Sequence, residues 1–179
     1  MDSARARGRD AFLRLFTWDG GHANVWRIFG DGDAFGAVVA GLVEPWRASG
    51  ITKVCGIESR GFIVGGAAAG TLGVGFVAIR KQGSLFPGAK RQIESAPDYR
   101  GLRHVLQIQQ ESIETGDRIL LIDDWIEHGS QASAARALIE GCGGTLVGIS
   151  VMVDQLDDAQ RERMPPITSL VIAKDLPAS

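Results

Sequence analysis

Arg118-Ile-Leu-Leu-Ile-Asp-Asp-Trp-Ile-Glu-His-Gly-Ser-Gln131 is the stretch on which the fold turns. Residues 119–122 are an unbroken aliphatic run, the pattern of a strand buried on both faces of a parallel sheet. Asp123 and Asp124 follow at its carboxyl end, and after a turn the segment Ser130–Gly141 has the composition of a helix. A strand that feeds a helix in this way puts the acidic pair at the carboxyl edge of the sheet, the edge where open α/β sheets bind ligands. Successive backbone N–H groups in the turn, together with a helix N-terminus, suit a phosphate dianion. Two adjacent carboxylates repel each other unless ribose hydroxyls or a cation bridge them. The same residues also read as a solvated acidic turn with an ordinary helix cap.

Working outward, the run Lys53–Ile57 is a second buried strand, residues 61–70 a helix and residues 75–79 a third strand. Asp31 and Asp33 offer caps for a helix over 34–48 with Phe35, Val38, Val39, Leu42 and Trp46 on its inner face, and Pro45 is expected to kink or end it. Val105–Gln109, 146–153 and 168–173 complete the strands. Strands separated by helices of this length imply right-handed crossovers, so the fold class is α/β, a mostly parallel sheet with helices on both faces. Residues 80–103 change to Lys, Arg, Gln, Ser, Pro and Gly, and are expected to be an irregular lid loop. Asp154 ends the 146–153 strand on the ligand edge and reads equally as a base contact or a loop cap.

The 179 residues, 45% of them hydrophobic, suffice for one domain over the whole chain. A formal net charge of −2 gives no basic footprint for nucleic acid. Arg5, Arg7, Arg9 and Arg14 read as a solvated or frayed helix start. Residues 61–79 carry no charge and approach a membrane span in length, but their glycines favour a buried helix, turn and strand. No membrane partner is expected. Cys55 and Cys142 show no metal-ligand spacing and read as two buried thiols of a reducing, cytoplasmic compartment. Trp125 reads as a packing residue in preference to a stacking platform, and His22 and His104 as structural.

The stretch Ile119–Gln131 resembles the phosphoribosyl-pyrophosphate loop of type I phosphoribosyltransferases: an apolar strand, two acidic residues, two apolar residues, a variable one, then Thr-Gly-Gly-Thr. Gly56-Ile-Glu-Ser-Arg-Gly-Phe62 and Leu72-Gly-Val-Gly-Phe-Val-Ala-Ile-Arg-Lys81 look like the corresponding segments of adenine phosphoribosyltransferases. The resemblance covers residues 33–155. It implies a small N-terminal hood over 1–32, a lid over 80–103, a homodimer, and Mg²⁺ bound mainly by the substrate's pyrophosphate and water. The implied reaction moves phosphoribose from 5-phosphoribosyl-1-pyrophosphate to a nitrogenous base, a purine before a pyrimidine. A sensor that keeps the pocket without turnover, or transfer to a specialised acceptor, are the alternatives.

Residue by residue, the resemblance assigns Asp123 and Asp124 to the ribose hydroxyls, and His128, Gly129, Ser130 and Gln131 to the 5-phosphate. It assigns Glu58, Ser59, Arg60 and Gly61 to the pyrophosphate loop, where the family often has a non-proline cis peptide, and Arg80 and Lys81 to a basic pair beside it. Asp98 and Tyr99 match the lid in position. His128-Gly129-Ser130-Gln131 departs from Thr-Gly-Gly-Thr, and residues 21–26 depart from the Phe-Arg-Asp hood pattern of adenine enzymes. Glu127 stands where adenine enzymes usually carry alanine and hypoxanthine-guanine enzymes aspartate. It is expected to face the base and take its proton, which makes it the third catalytic residue beside Asp123 and Asp124.

Overall fold

The computed structural model describes residues 3–83, 85–97 and 101–178. Ser3 caps α1 (Ala4–Leu15), its hydroxyl accepting from the Ala6 amide at 3.1 Å. The basic N-terminal segment is therefore part of a docked helix. Glu44 accepts from the Ala4 and Arg5 amides at 2.9 and 2.8 Å, and Phe12 is fully buried. A short hairpin of β1 (Thr17–Asp19) and β2 (His22–Asn24) follows, then α2 (Trp26–Phe29) and α3 (Gly32–Val43). Asp31 caps α3 through the Ala34 amide at 2.9 Å. The helix expected over 34–48 ends at Val43, and a 3₁₀ turn, Glu44–Trp46, carries Pro45. Val38, Val39, Leu42 and Trp46 are buried as expected, while Phe35 is half-buried.

The body of the chain runs β3 (Lys53–Ile57), α4 (Arg60–Leu72), β4 (Gly75–Lys81), β5 (Lys90–Glu94), β6 (Val105–Gln109), β7 (Arg118–Ile126), α5 (Ser130–Gly141), β8 (Thr145–Asp154), α6 (Asp158–Arg161) and β9 (Ile167–Ile172). Among the described residues the main sheet has the order β5-β6-β4-β3-β7-β8-β9. The pairs β3–β4, β3–β7, β7–β8 and β8–β9 are parallel; β4–β6 and β5–β6 are antiparallel. The stretch expected to be irregular thus contains β5. Its Lys-Arg-Gln-Ile-Glu composition suits an exposed edge and hides the strand from a hydrophobicity pattern.

Side chains of β7 alternate between two apolar layers. Leu120 and Ile122 join Phe12, Val38, Leu42 and Val64 on the α1, α3 and α4 side, whereas Ile119 and Leu121 join Ala135, Leu138 and Ile139 of α5. Residues 61–79 resolve into α4, a left-handed turn at Gly73 (φ 71°) and β4. No helix among the described residues is long and apolar enough to cross a membrane. Cys55 is buried in β3, and burial pushes its thiol far above the ordinary range. Cys142 is only half-buried, because it caps α5 at the surface end of the helix.

The 3₁₀ turn after α3 brings Trp46 onto β8 and β9, and its indole nitrogen donates to Thr168 Oγ1 of β9 at 2.9 Å. The six-membered ring of the indole lies against Gly148, and a methyl group there would overlap ring atoms Cη2 and Cζ3. Overpacking of a filled core costs roughly 1–3 kcal/mol. Gly148→Ala should therefore lower the urea midpoint without changing the slope, and an unchanged midpoint would mean that Trp46 moves aside freely.

Candidate active site

The cleft at the carboxyl edge of β3 and β7 has a volume of about 670 Å³. Its β3 side depends on a tight turn. Glu58–Ser59 is a cis peptide, and α4 starts at the next residue, Arg60. A Cβ on Gly56 would strike the Gly61 carbonyl, and one on Gly61 would come within 3.0 Å of Asp123 Oδ1. Two glycines thus let the β3–α4 turn close against the end of β7. Glu58 and Ser59 line the cleft with Arg60 and Lys81. Arg80 does not. Its guanidinium is held by Glu58 (Nη2 to Oε1 at 3.2 Å) and by the Leu85 carbonyl at 2.8 Å, so it braces Glu58 from outside. Gly61 likewise shapes the turn without being part of the lining.

β7 runs on through the acidic pair to Ile126, four residues past the strand end expected from its aliphatic run. On a regular strand Asp123 and Asp124 would face opposite sides of the sheet. Here both line the cleft. The alternation that is strict from Ile119 to Ile122 is out of step by Trp125, which packs on the layer of Ile122, and Ile126, which packs on that of Leu121. At the pair the Asp124 amide donates to Asp123 Oδ1 at 2.9 Å. Asp124 Oδ2 lies 3.1 Å from Arg60 Nε, is buried, and has no hydrogen-bond partner in that geometry. Desolvation in the cleft floor and the Asp124 carboxylate beside it hold Asp123 well above the usual carboxylate range.

Glu127, His128 and Gly129 form the turn into α5. Gly129 takes a left-handed conformation (φ 72°), and a side chain there would also collide with Met164. No side chain caps α5, so the amides of its first turn at Ser130 and Gln131 stay available at the cleft. Glu127 is half-buried and His128 exposed; both line the cleft, and neither has an ion pair or hydrogen bond among the described residues. Tyr99 and Asp98 lie outside the described residues.

The remaining wall was not legible beforehand. It brings Trp18 from the hairpin against Trp125, and His22, Ala23, Gln155, Leu102 and His104 line the same cleft. All three histidines of the chain therefore line this cleft. Trp125 packs edge-on against Trp18 and donates to Gln155 Oε1 at 2.9 Å, so it is both a packing and a lining residue. Asp154 is not part of the lining. Its buried carboxylate accepts from the Leu156 amide at 3.0 Å and pairs with Arg161 at 2.6 Å, which makes it the loop cap of its two readings. The residue after it, Gln155, takes the place in the cleft, a one-residue difference that strand-end counting does not resolve.

Residues 26–176 match the family described as phosphoribosyl transferase domain. The chain belongs to this family. Among phosphoribosyltransferases of known name, it is 40% identical to the adenine phosphoribosyltransferase of Maricaulis maris over 152 residues, 83% of this chain and 85% of the relative. It is 40% identical to that of Parafrankia sp. over 130 residues, 73% of this chain and 69% of the relative. The crystal structure of the Rhodothermus marinus adenine phosphoribosyltransferase superposes with a TM-score of 0.81 at 30% identity, covering 92% of this chain and 98% of that one. A Giardia lamblia structure, complexed with 9-deazaadenine, does so with a TM-score of 0.80 at 29% identity, covering 96% and 98%.

The raised proton affinity of Asp123 has a definite sign in stability. A carboxyl that titrates higher folded than unfolded makes the native state bind more protons. Stability is then lost as pH rises from the unfolded value, about 3.9, through the folded one. Asp123→Asn removes that loss. The substituted protein should be more stable than the unsubstituted one by about 0.5–2 kcal/mol at pH 7–8, the usual size of a strain released at a functional site. Urea unfolding across pH 4–8 measures the difference, which should grow with pH; a constant difference would mean that Asp123 has no unusual titration.

Proposed function

We propose that the chain transfers phosphoribose from 5-phosphoribosyl-1-pyrophosphate to a purine, with adenine the base its named relatives point to, and releases pyrophosphate. The observation that carries this reading is the acidic pair: two adjacent carboxylates on one strand, both lining a cleft that also holds an uncapped helix N-terminus and two cationic side chains. Asp123 and Asp124 take the ribose 2- and 3-hydroxyls. The amides of Gly129, Ser130 and Gln131, the Ser130 hydroxyl and His128 take the 5-phosphate. Arg60, Lys81 and the Ser59 backbone face the pyrophosphate, with Glu58 and Arg80 bracing that side.

In the reaction the anomeric C–O bond to pyrophosphate breaks as a bond to a purine ring nitrogen forms. The nitrogen gives up its proton, for which Glu127 is the acceptor. Positive charge develops on the ribose ring as the leaving group departs, and the carboxylates beneath it favour that charge. Leu102 and His104, in the segment leading into β6, line the cleft as well and help to keep out water.

No group of three or more His, Cys, Asp or Glu side chains converges as a metal site among the described residues. A Mg²⁺ here would draw most of its ligands from pyrophosphate and water, with carboxylates that line the cleft completing its shell. Bound there, the ion would offset charge on the leaving pyrophosphate. A homodimer in the cytoplasm completes the reading.

Purified protein given phosphoribosyl pyrophosphate, Mg²⁺ and a panel of bases should release pyrophosphate with adenine faster than with any pyrimidine. Binding of phosphoribosyl pyrophosphate without release in the presence of any base would make the chain a sensor. Glu127→Gln should lower turnover by at least about 10²-fold, the lower bound for loss of a general base, and leave phosphoribosyl-pyrophosphate affinity nearly intact. Weakened affinity at unchanged turnover would make Glu127 a positioning residue.

A further inference from the structure

Two tryptophans wall one end of the cleft, and neither has a polar group to spare. Trp18 Nε1 donates to the Pro177 carbonyl at 2.8 Å and Trp125 Nε1 to Gln155 Oε1 at 2.9 Å. Their rings meet edge to face with centroids 6.2 Å apart. They offer a flat ligand only apolar and π surface, which holds any aromatic ring and does not tell one base from another. Discrimination has to come from polar groups around them, because a site that hydrogen-bonds its ligand rejects analogues lacking the partner atom.

Gln155 is such a group. It follows β8 directly, and its own amide donates to the Ile126 carbonyl at 2.9 Å, so its backbone is tied to the end of β7. The side chain has only one permitted orientation against Trp125. An indole N–H donates and accepts nothing, so the carboxamide atom facing it must be the oxygen. The other end of the carboxamide is then an NH₂ with two donors and no acceptor. Among the described residues no acceptor takes these donors, and Gln155 lines the cleft. Glu127, a carboxylate two positions after Trp125 that also lines the cleft, is the complementary acceptor.

We propose that Gln155 determines base specificity, donating from Nε2 to an acceptor atom on the ring edge of the bound purine. The identity of the ligand rests on the transferase reading; the orientation of the carboxamide does not. For adenine the acceptors are the ring nitrogens N1, N3 and N7, since its exocyclic group is a donor. Trp125 thus works as a positioning residue that turns the Gln155 donor outward.

Gln155→Glu isolates the donor, because it keeps an oxygen for Trp125 and replaces the NH₂ by a second acceptor. Calorimetry with AMP and its 1-, 3- and 7-deaza analogues, each lacking one ring acceptor, reads the contact without requiring turnover. The intact protein should bind one of the three analogues about 3- to 10-fold more weakly than AMP, the equivalent of one net hydrogen bond. In Gln155→Glu that gap should close through a loss of AMP affinity, while tryptophan fluorescence of the free protein stays unchanged. Equal AMP-to-analogue ratios in the two proteins for all three analogues, or no AMP binding at all, would overturn the proposal. A ratio that shifts in a protein that releases no pyrophosphate with any base keeps Gln155 and removes the transferase reading. Pyrophosphate release with unshifted ratios does the reverse.

Discussion

The cleft exists because the β3–α4 turn can approach the end of β7 without side chains in between. Gly56 and Gly61 face each other across that approach, and Gly61 also faces the Asp123 carboxylate. With the gap closed, Arg60 at the start of α4 reaches Asp124, and Glu58 on the same turn is gripped by Arg80 and by the Lys81 amide at 3.0 Å. The strands β3, β4 and β7 are thereby locked to one another at their carboxyl ends by charge, as they are along their length by the ladder.

The site is asymmetric as a result. Arg60 and Lys81 stand at the β3 and β4 ends, the α5 N-terminus rises from β7, and the aromatic wall lies toward β8 and the hairpin. A ligand with phosphates at one end and a flat ring at the other has only one way to lie in it. The positively polarised groups and the π surfaces are separated by the acidic floor, so charge and shape specify the same orientation.

The order of strands and helices was legible wherever a buried element is continuous in hydrophobicity. Lys53–Ile57 and Val105–Gln109 span the residues expected of them, and Ser130–Gly141 starts at the predicted turn. β5 escaped because an edge strand with polar side chains carries no alternation, and the last four residues of β7 escaped because carboxylates and tryptophan imitate a loop. Asp123, Asp124, His128 and Ser130 follow one another in a short contiguous motif, so their meeting in the cleft was readable in the sequence. The aromatic wall was not, since Trp18, Trp125 and Gln155 are brought together by the hairpin and β8 from three distant parts of the chain. Arg80 carried the right charge for a ligand contact, yet its nearest carboxylate is in its own protein, a pairing that only the register of β3 against β4 creates.

Desolvation in the cleft floor and the Asp124 carboxylate beside it leave Asp123 holding a proton more tightly than an ordinary carboxyl. A ligand that binds the deprotonated carboxylate must displace that proton, so binding and proton release are one event and the apparent affinity becomes a function of pH. The heat measured on binding will include the ionisation heat of whichever buffer takes the proton, and titrations in two buffers will differ in heat by the number of protons expelled times the difference in their ionisation enthalpies.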